Sequence, residues 1–400
     1  MSTAVIPVEL KSAKVAPRMC AKCIMDTSDP EISFDSAGVC NHCHTYAELV
    51  ATSRWTPAER EIRLQRLLKA IRRRGSGKDY DCVIGVSGGV DSTFVAYKLT
   101  QFGLRPLAVH LDNGWNSELA VHNIEKVLKN LNIDLYTHVL DWEEFKDLQL
   151  SFLKASVSDA EIPTDHAIFA TLNKVAIKRG IKYVLLGTNV VTEAVLPTSW
   201  TYGIHDWRYI SGVHKRFGRV PLRTFPHHTR NDQLYYQFVV GLRLVSILDY
   251  IEYVKHEAMD ILQNKLGWQY YGGKHYESIY TRFFQGYILP RKFGIDKRRA
   301  HLSNLICSGQ MTREAALEEM KNDPYAETMM REDREYVVKK LGLTMDEFES
   351  IMALPLKTYR DYPTYHDPSP TDGLRAAFLG CAKIALRASR RLRGLPARSG

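Results

Sequence analysis

The chain has 400 residues, of which 45% are apolar and 25% are charged, and this composition excludes a disordered or fibrous protein. Because a single hydrophobic core rarely serves so long a chain, we expect two or more domains. The formal charge of +9 indicates either a polyanionic partner or local clusters of charge. The excess is concentrated at residues 72–74 and in the C-terminal tail, so we favour clusters and do not expect a nucleic-acid partner.

The apolar runs are all shorter than the roughly 18 residues typical of a membrane span, so no transmembrane segment is predicted. The first residues, 1–9, also lack the charged and apolar regions of a secretory signal. We therefore expect a cytoplasmic location.

Four cysteines near the N-terminus form two Cys-x-x-Cys pairs with sixteen residues between them: Cys20, Cys23, Cys40 and Cys43. This spacing is typical of a zinc site with two knuckles. Four thiolates would fill a tetrahedral site and leave no open position, so the zinc is expected to be structural. An iron–sulfur cluster is the main alternative, and His42 or His44 could replace one cysteine.

From residue 79 onward, short apolar strands alternate with amphipathic helices. The predicted strands are 82–86, 107–111, 135–140 and 183–186. The predicted helices are 92–102, 117–131, 143–155 and 164–179, after a first helix that begins at Thr56 with a complete capping signal. This alternation predicts an α/β fold with a Rossmann-like parallel sheet, covered on both faces, that binds ligands at the carboxyl ends of its strands.

The rest of the chain is less regular. We expect a helical stretch over 231–266, helices at 313–321 and 332–341, and a basic helix near 373–393. The predicted domains are a zinc module at 1–55, the sheet domain at 56–230, a mostly helical substrate or partner region at 231–355 and a basic tail at 356–400.

The first strand ends at Val86 and runs straight into a short polar loop: Ser87, Gly88, Gly89, Val90, Asp91 and Ser92. The two glycines let the backbone approach a phosphate, and the following helix presents its N-terminus to an anion. Asp91 is suited to hold Mg²⁺ against the phosphates. A Walker loop would need a lysine and a dinucleotide fingerprint would need G-x-G-x-x-G, and the sequence has neither here.

This segment resembles the PP-loop ATP pyrophosphatase superfamily (adenine nucleotide alpha hydrolase-like), which includes GMP synthetase, NAD synthetase and tRNA thiolases. The resemblance implies that ATP is split to AMP and pyrophosphate while an oxygen of the substrate is adenylated. It also implies further nucleotide contacts at the ends of the second and fourth strands: His110, Asp112, Asn113, Gly187 and Thr188. Glu193 is similar to the acid that helps to bind Mg²⁺ in NAD synthetase-like enzymes.

The nucleophile distinguishes the reactions of this superfamily. Thiolation needs a sulfur-carrying cysteine, and outside the zinc module only Cys82, Cys307 and Cys381 are present. Amidation needs ammonia, yet the sequence contains no recognisable glutaminase domain and no Gly-x-Cys-x-Gly motif. An amidating enzyme of this design would therefore take ammonia from a separate protein.

Nearly the whole chain resembles the N-acetyl sugar amidotransferase family of surface-polysaccharide (lipopolysaccharide and O-antigen) biosynthesis. The resemblance rests on residues 19–27, the loop, and residues 187–193, 268–278, 282–287 and 290–299. It implies conversion of an acetamido group to an acetamidino group on a nucleotide-linked diacetamido sugar. It also implies a partner pair similar to the glutaminase and cyclase subunits of histidine biosynthesis.

Two later segments complete the expected site. Lys274, His275 and Glu277 lie between glycines in a polar segment, which favours a catalytic loop over a plain surface turn. Lys292 and Lys297 belong to a basic run, and we expect them to bind pyrophosphate or the sugar nucleotide, with a solvated charge run as the alternative. The competing functions are a tRNA thiolase and a nucleotide-binding scaffold without catalysis.

Overall fold

The computed structural model describes residues 18–53, 55–273 and 276–368. Its strands are β1 Cys82–Gly85, β2 Pro106–Asp112, β3 Leu135–Val139, β4 Tyr183–Leu186 and β5 Arg243–Ser246. Its helices up to the last strand are α1 Asn41–Ser53, α2 Pro57–Gly75, α3 Val90–Gln101, α4 Glu118–Leu131, α5 Trp142–Ala155, α6 Ile162–Lys178, α7 Val190–Glu193, α8 Trp207–Phe217 and α9 Arg230–Leu234.

The later helices are α10 Lys255–Leu266, α11 Ile279–Phe283, α12 Arg298–Cys307, α13 Arg313–Glu319, α14 Glu327–Lys340 and α15 Met345–Met352. Two π-helical segments, Tyr235–Val240 and Phe284–Phe293, follow α9 and α11 directly. Short 3-10 turns occur at Ile247–Tyr250 and Tyr359–Asp361. None of the described helices is long and apolar enough to cross a membrane.

The five strands form one parallel sheet in the order β3-β2-β1-β4-β5. The prediction of a parallel α/β sheet, with a cysteine module before it and helices after it, is thus confirmed. The strand order reverses between β1 and β4, and in such sheets the crevice at the reversal is the usual place for a ligand.

Side chains of the central strands alternate between two hydrophobic cores, as the period of two in a strand requires. Cys82 and Ile84 of β1 pack into the core that α3, α4 and α10 cover, whereas Val83 packs into the core beneath α6. All three are fully buried. Burial on both faces explains why these strands appear in the sequence as short, continuous apolar runs.

Two buried carboxylates on α5 hold the irregular segment at 219–225. Asp147 Oδ2 accepts hydrogen bonds from the backbone N–H groups of Arg219 and Val220, at 2.7 and 3.0 Å. Glu144 accepts bonds from three successive N–H groups of residues 223–225. A segment without regular secondary structure thus has its backbone donors satisfied.

The structure corrects the prediction of a continuous helical stretch over 231–266. β5 lies inside it and pairs with β4 over four residues. The sheet therefore uses residues on both sides of the predicted boundary at residue 230, and the division into domains stays a prediction. The predicted basic helix near 373–393 lies outside the described residues, as do Cys381 and residues 1–17 of the predicted zinc module.

The N-terminal cysteine module packs against α12 and α13. The N–H of Ile24 donates to Ser303 Oγ at 3.2 Å, and Arg313 donates to the carbonyl of Cys23 at 3.1 Å. Farther along, Arg282 of α11 forms a bidentate ion pair with Asp333 of α14 at 2.7 and 2.8 Å. These contacts attach the cysteine module to α12 and α13, and α11 to α14.

Candidate functional site

The polar loop after β1 closes on itself through its two serines. Ser87 Oγ lies 3.2 Å from Ser92 Oγ, and it also accepts a hydrogen bond from the N–H of Gly89 at 3.3 Å. Ser92 Oγ in turn lies 3.2 Å from the carbonyl oxygen of Gly89. The loop is thereby held at the N-terminus of α3, where unpaired N–H groups and the helix dipole favour an anion.

Gly88 occupies a position that only glycine fits. Its φ is +81°, and a Cβ added there would lie 2.8 Å from the carbonyl oxygen of Ala120. The indole N–H of Trp268 donates to the carbonyl oxygen of Gly88 at 2.8 Å. Trp268, which is 180 residues farther along the chain, thus contacts the loop.

Asp91, at the start of α3, accepts a hydrogen bond from the hydroxyl of Tyr253. Burial raises the pKa of Tyr253, and the charges of Asp91 and Glu193 raise it further, so the phenol stays protonated as a donor. Gly187, at the end of β4, lies against the same helix start, because a Cβ there would be 3.0 Å from the N atom of Ser92. The ends of β1 and β4 therefore meet at the loop.

Tyr271 and Glu277 reach the loop from the segment that follows α10. A Cβ placed on Gly89 would lie 3.4 Å from Tyr271 Oη and 3.5 Å from Glu277 Oε1. Backbone bonds fix this segment, since the N–H of Ser117 donates to the carbonyl of Glu277 at 2.9 Å. The expected catalytic residues Lys274 and His275 lie outside the described residues.

The polar residues at the end of β2 bind mainly to their own neighbours. His110 Nδ1 lies 2.9 Å from the carbonyl oxygen of Val86, and its Nε2 lies 3.1 Å from the amide nitrogen of Asn116. Asp112 Oδ1 accepts from the N–H of Gly114 at 2.8 Å. Asn113 Oδ1 accepts from the N–H of Trp115 at 3.1 Å. These contacts hold the turn that carries Asn113 over the start of α6.

At the end of β4, the hydroxyl of Thr188 lies 2.8 Å from that of Ser246, which ends β5. Glu193 completes the short helix α7, and its charge acts on both Tyr253 and Asp165. Glu193 is therefore near both Tyr253 and Asp165.

The two expected phosphate-binding lysines have other neighbours. Lys292 Nζ donates to the carbonyls of Ile351, Met352 and Leu354 at 2.8 to 2.9 Å, contacts that favour a role in closing the end of α15. Lys297 Nζ lies 3.5 Å from Glu161 Oε2.

Tyr253, Tyr271 and Trp268 are site residues that sequence reasoning did not single out. Only Trp268 and Tyr271 had a signal, since both fall in a segment that carries the family resemblance.

The four N-terminal cysteines form one buried cluster, and their sulfur atoms all lie within 4.8 Å of one another. The Cys20–Cys43 and Cys23–Cys40 sulfur distances are 3.9 and 3.6 Å. Zinc–sulfur bonds of about 2.3 Å place tetrahedral ligands about 3.8 Å apart, so the donor set fits zinc. Backbone N–H groups of Lys22 and Cys40 also donate hydrogen bonds to Cys20 Sγ.

The two histidines beside the cluster are turned to carboxylates instead. His42 Nε2 lies 2.7 Å from Asp29, and His44 Nε2 lies 2.9 Å from Asp35. Cys307 places a fifth sulfur 3.7 Å from Cys43 Sγ, whereas Cys82 is buried inside β1.

A Rossmann-like parallel sheet whose first strand ends in this serine–glycine loop is the arrangement that the sequence analysis predicts. Residues 277–375 match the model of the "LPS biosynthesis protein WbpG-like, C-terminal domain". The match thus begins at Glu277, next to the loop, and continues through α11 to α15.

Among curated proteins, a GMP synthase (glutamine-hydrolysing) of Thermus thermophilus is 32% identical over 166 residues, which are 40% of this chain and 30% of that protein. A GMP synthase of Pyrobaculum aerophilum is 32% identical over 141 residues, 34% of this chain and 25% of that protein. The chain spans about a third or less of the length of these relatives. The domain match and this similarity each cover less than half of the chain.

Among solved structures, NMN synthetase from Francisella tularensis aligns with a TM-score of 0.28 at 17% identity, covering 53% of this chain and 94% of that one. A predicted subunit of tRNA methyltransferase from Methanocaldococcus jannaschii aligns with a TM-score of 0.27 at 15% identity, covering 44% and 75%. These overlaps are too weak to bear on function.

Proposed function

We propose that this chain is an ATP-dependent amidotransferase that converts the acetamido group of a nucleotide-linked diacetamido sugar to an acetamidino group. The acetamido oxygen attacks the α-phosphate of ATP, pyrophosphate leaves, and ammonia then replaces AMP at the carbon atom. An amide oxygen is a poor leaving group, whereas AMP leaves readily, so adenylation makes the exchange feasible. The proposal includes a cytoplasmic location and a role in lipopolysaccharide or related glycan biosynthesis.

The observation that carries the proposal is the position of the segment from Trp268 to Glu277. Trp268 bonds to the carbonyl of Gly88, and Glu277 Oε1 lies beside Gly89. Glu277, the first residue of the lipopolysaccharide-type domain match, and Trp268, which precedes that match, therefore reach the loop that would hold ATP. A substrate between them would have its acetamido oxygen close to the phosphates, and such positioning supplies much of the rate enhancement in group transfer.

Groups of this chain would stabilise the negative charge that develops on the leaving pyrophosphate. N–H groups of the loop and the start of α3 would stabilise the leaving pyrophosphate. Asp91 and Glu193 would hold Mg²⁺, which offsets phosphate charge. Lys274 and His275 are proposed to complete the catalytic set with Glu277, and a separate glutaminase and cyclase-like pair is proposed to supply ammonia.

The described thiols offer no observation that favours the tRNA thiolase alternative. Cys82 is buried in β1 and Cys307 contacts the cysteine cluster, so neither points to a sulfur carrier at the loop.

The decisive experiment supplies the purified protein with ATP, Mg²⁺, ammonium and a diacetamido nucleotide-sugar. We expect AMP and pyrophosphate together with a sugar product in which an NH group replaces one oxygen, measured by mass spectrometry. An Asp91→Asn variant should lose this reaction while the protein remains folded. Formation of ADP, or ATP cleavage that depends on tRNA instead of the sugar, would contradict the proposal.

A further inference from the structure

A buried acidic chamber lies beside the loop, formed by Asp159, Glu161, Asp165, Tyr280 and Lys297. The start of α6 brings the acids to the carboxyl edge of the sheet, because α6 runs antiparallel to the strands. Thr164, in the first turn of α6, accepts a hydrogen bond from Asn113 at the end of β2 at 3.4 Å. The chamber is thus attached to the same edge that carries the loop.

Negative charge exceeds positive charge in the chamber. Asp159 and Glu161 are 4% and 8% exposed, and Lys297 is the cation that the described residues place among the three acids. Gln285 also donates to Glu161 Oε2, at 2.8 Å. Three acidic side chains stand against one ammonium group here, and buried carboxylates are costly unless they bind a proton or a cation.

The hydroxyl of Tyr280 has no hydrogen-bond partner within the described structure, although the residue is only 2% exposed. Burial raises the pKa of Tyr280, and the nearby charges of Glu161 and Asp159 raise it further, so these acids lie near the side chain. Buried polar groups are nearly always satisfied in native proteins. An unsatisfied buried hydroxyl near two acids indicates a hydrogen-bonding ligand at this place.

A narrow crevice leads from the surface to Asp159. It is lined by Ser158, Ser199, Tyr202 and Tyr359, among others, and its free space accommodates about one water-sized molecule. A nucleotide or a sugar is far too large for this route. The charge of Glu193 acts on both Asp165 and the Tyr253 that bonds to Asp91. Asp159 thus connects the chamber with the crevice, and Glu193 is near both the chamber and the loop.

We propose that the acidic chamber binds the ammonium ion and delivers ammonia to the adenylated substrate, an inference that rests on the proposed function. Ammonium matches the size of the crevice, carries the missing charge and offers four N–H donors to acceptors that include the chamber carboxylates and Tyr280 Oη. One carboxylate of the chamber takes a proton from the ion and becomes a carboxylic acid. The nitrogen keeps the electron pair, attacks the imidate carbon and displaces AMP.

Burial and the neighbouring acids raise the pKa of Asp165 well above its usual value, and burial and Glu161 raise that of Asp159. A carboxylate with a raised pKa is a better proton acceptor from ammonium than an exposed one. Lys297 limits this effect, since its positive charge lowers the pKa of both acids.

Tyr280→Phe tests the chamber because it removes one hydroxyl and keeps the shape of the side chain. With ammonium as nitrogen source, the apparent KM for ammonium should rise about three- to tenfold, with little change in the KM for ATP. Tyr183→Phe is the matched control, since Tyr183 is equally buried but lies at the amino end of β4. An unchanged KM for ammonium in Tyr280→Phe would overturn the inference.

A second measurement separates this inference from the proposed function. Crystals soaked in a thallous salt, whose ion resembles ammonium in size and charge, should show anomalous scattering in the chamber, and Glu161→Gln should remove it. This signal without amidation by the wild-type protein would contradict the proposed function and retain the cation site. Manganese in the chamber and no thallium would mean a divalent metal site and overturn the ammonium assignment.

Discussion

At the scale of single residues, the loop depends on positions where a side chain cannot be accommodated. Gly88 has a positive φ, and a Cβ added there would lie 2.8 Å from the carbonyl oxygen of Ala120. Trp268 donates a hydrogen bond to the carbonyl oxygen of Gly88. The backbone conformation and these two neighbours therefore restrict this position to glycine.

Gly88→Ala should destabilise the protein by about 1–3 kcal/mol and abolish ATP cleavage, because the added Cβ meets the Ala120 carbonyl oxygen. Gly77→Ala is the control: Gly77 has a similar φ of +75° but no atom within 4 Å of an added Cβ. It should cost only about 1 kcal/mol and leave cleavage unchanged. Urea unfolding and AMP formation measure the two effects, and equal losses in both variants would show that the Ala120 contact is unimportant.

The residues predicted for the loop have contacts that are local in the chain. Ser87 to Ser92 form the site through their own backbone, so their order in the chain predicts their arrangement. Lys292 and Lys297 show the opposite case. The basic run predicts phosphate binding, but the partners that surround them are 59 or more residues away in the chain, and no local pattern reveals them.

At the scale of secondary-structure elements, α5 shows how buried carboxylates stabilise an irregular segment. Asp147 Oδ2 accepts bonds from two backbone N–H groups and lies 3.0 Å from His214 Nε2. Burial alone would raise the pKa of Asp147, but these donors outweigh it and lower the pKa below 3.8.

A lowered pKa in the folded state means that Asp147 stabilises the protein fully above pH 3.8 and loses this contribution as the pH falls through the folded value. Asp147→Asn should therefore be less stable than wild type by about 1–3 kcal/mol at neutral pH. The difference should shrink below pH 3.8 in denaturant melts. The exposed Asp323→Asn is the control and should match wild type at every pH. A difference in the free energy of unfolding between wild type and Asp147→Asn that does not change with pH would contradict this role of Asp147.

Strands buried on both sides were predicted well: β1, β2 and β4 stand out as apolar runs between polar turns. The exposed edge strand β3 was predicted too. β5 was missed because it is an edge strand of four residues, half-exposed and without an apolar run. Leu244 of β5 and Ile247 and Leu248 of the next turn have a spacing that resembles a helix, and only pairing with β4 decides the outcome.

At the scale of the whole molecule, the cysteine cluster joins the first described residues to the helices near the end of the chain. Removal of the metal by a chelator should lower the melting temperature by about 5–10 °C, since a bound metal contributes directly to folding stability. Metal analysis should find zinc, and Cys43→Ser should lose it. Cys307→Ser should keep it, because Cys307 is outside the group of four. Iron with visible absorption would contradict zinc.

The two ends of helix α12 lie at two different sites. Lys297, its N-cap residue, lies in the acidic chamber, and Cys307, its last residue, touches the cysteine cluster. Ten helical residues span about 15 Å, and a helix of this length behaves as a rigid strut. A metal in the cluster would support this end of α12 through the contact between Cys43 and Cys307, so we expect metal loss to shift the Lys297 ammonium at the other end.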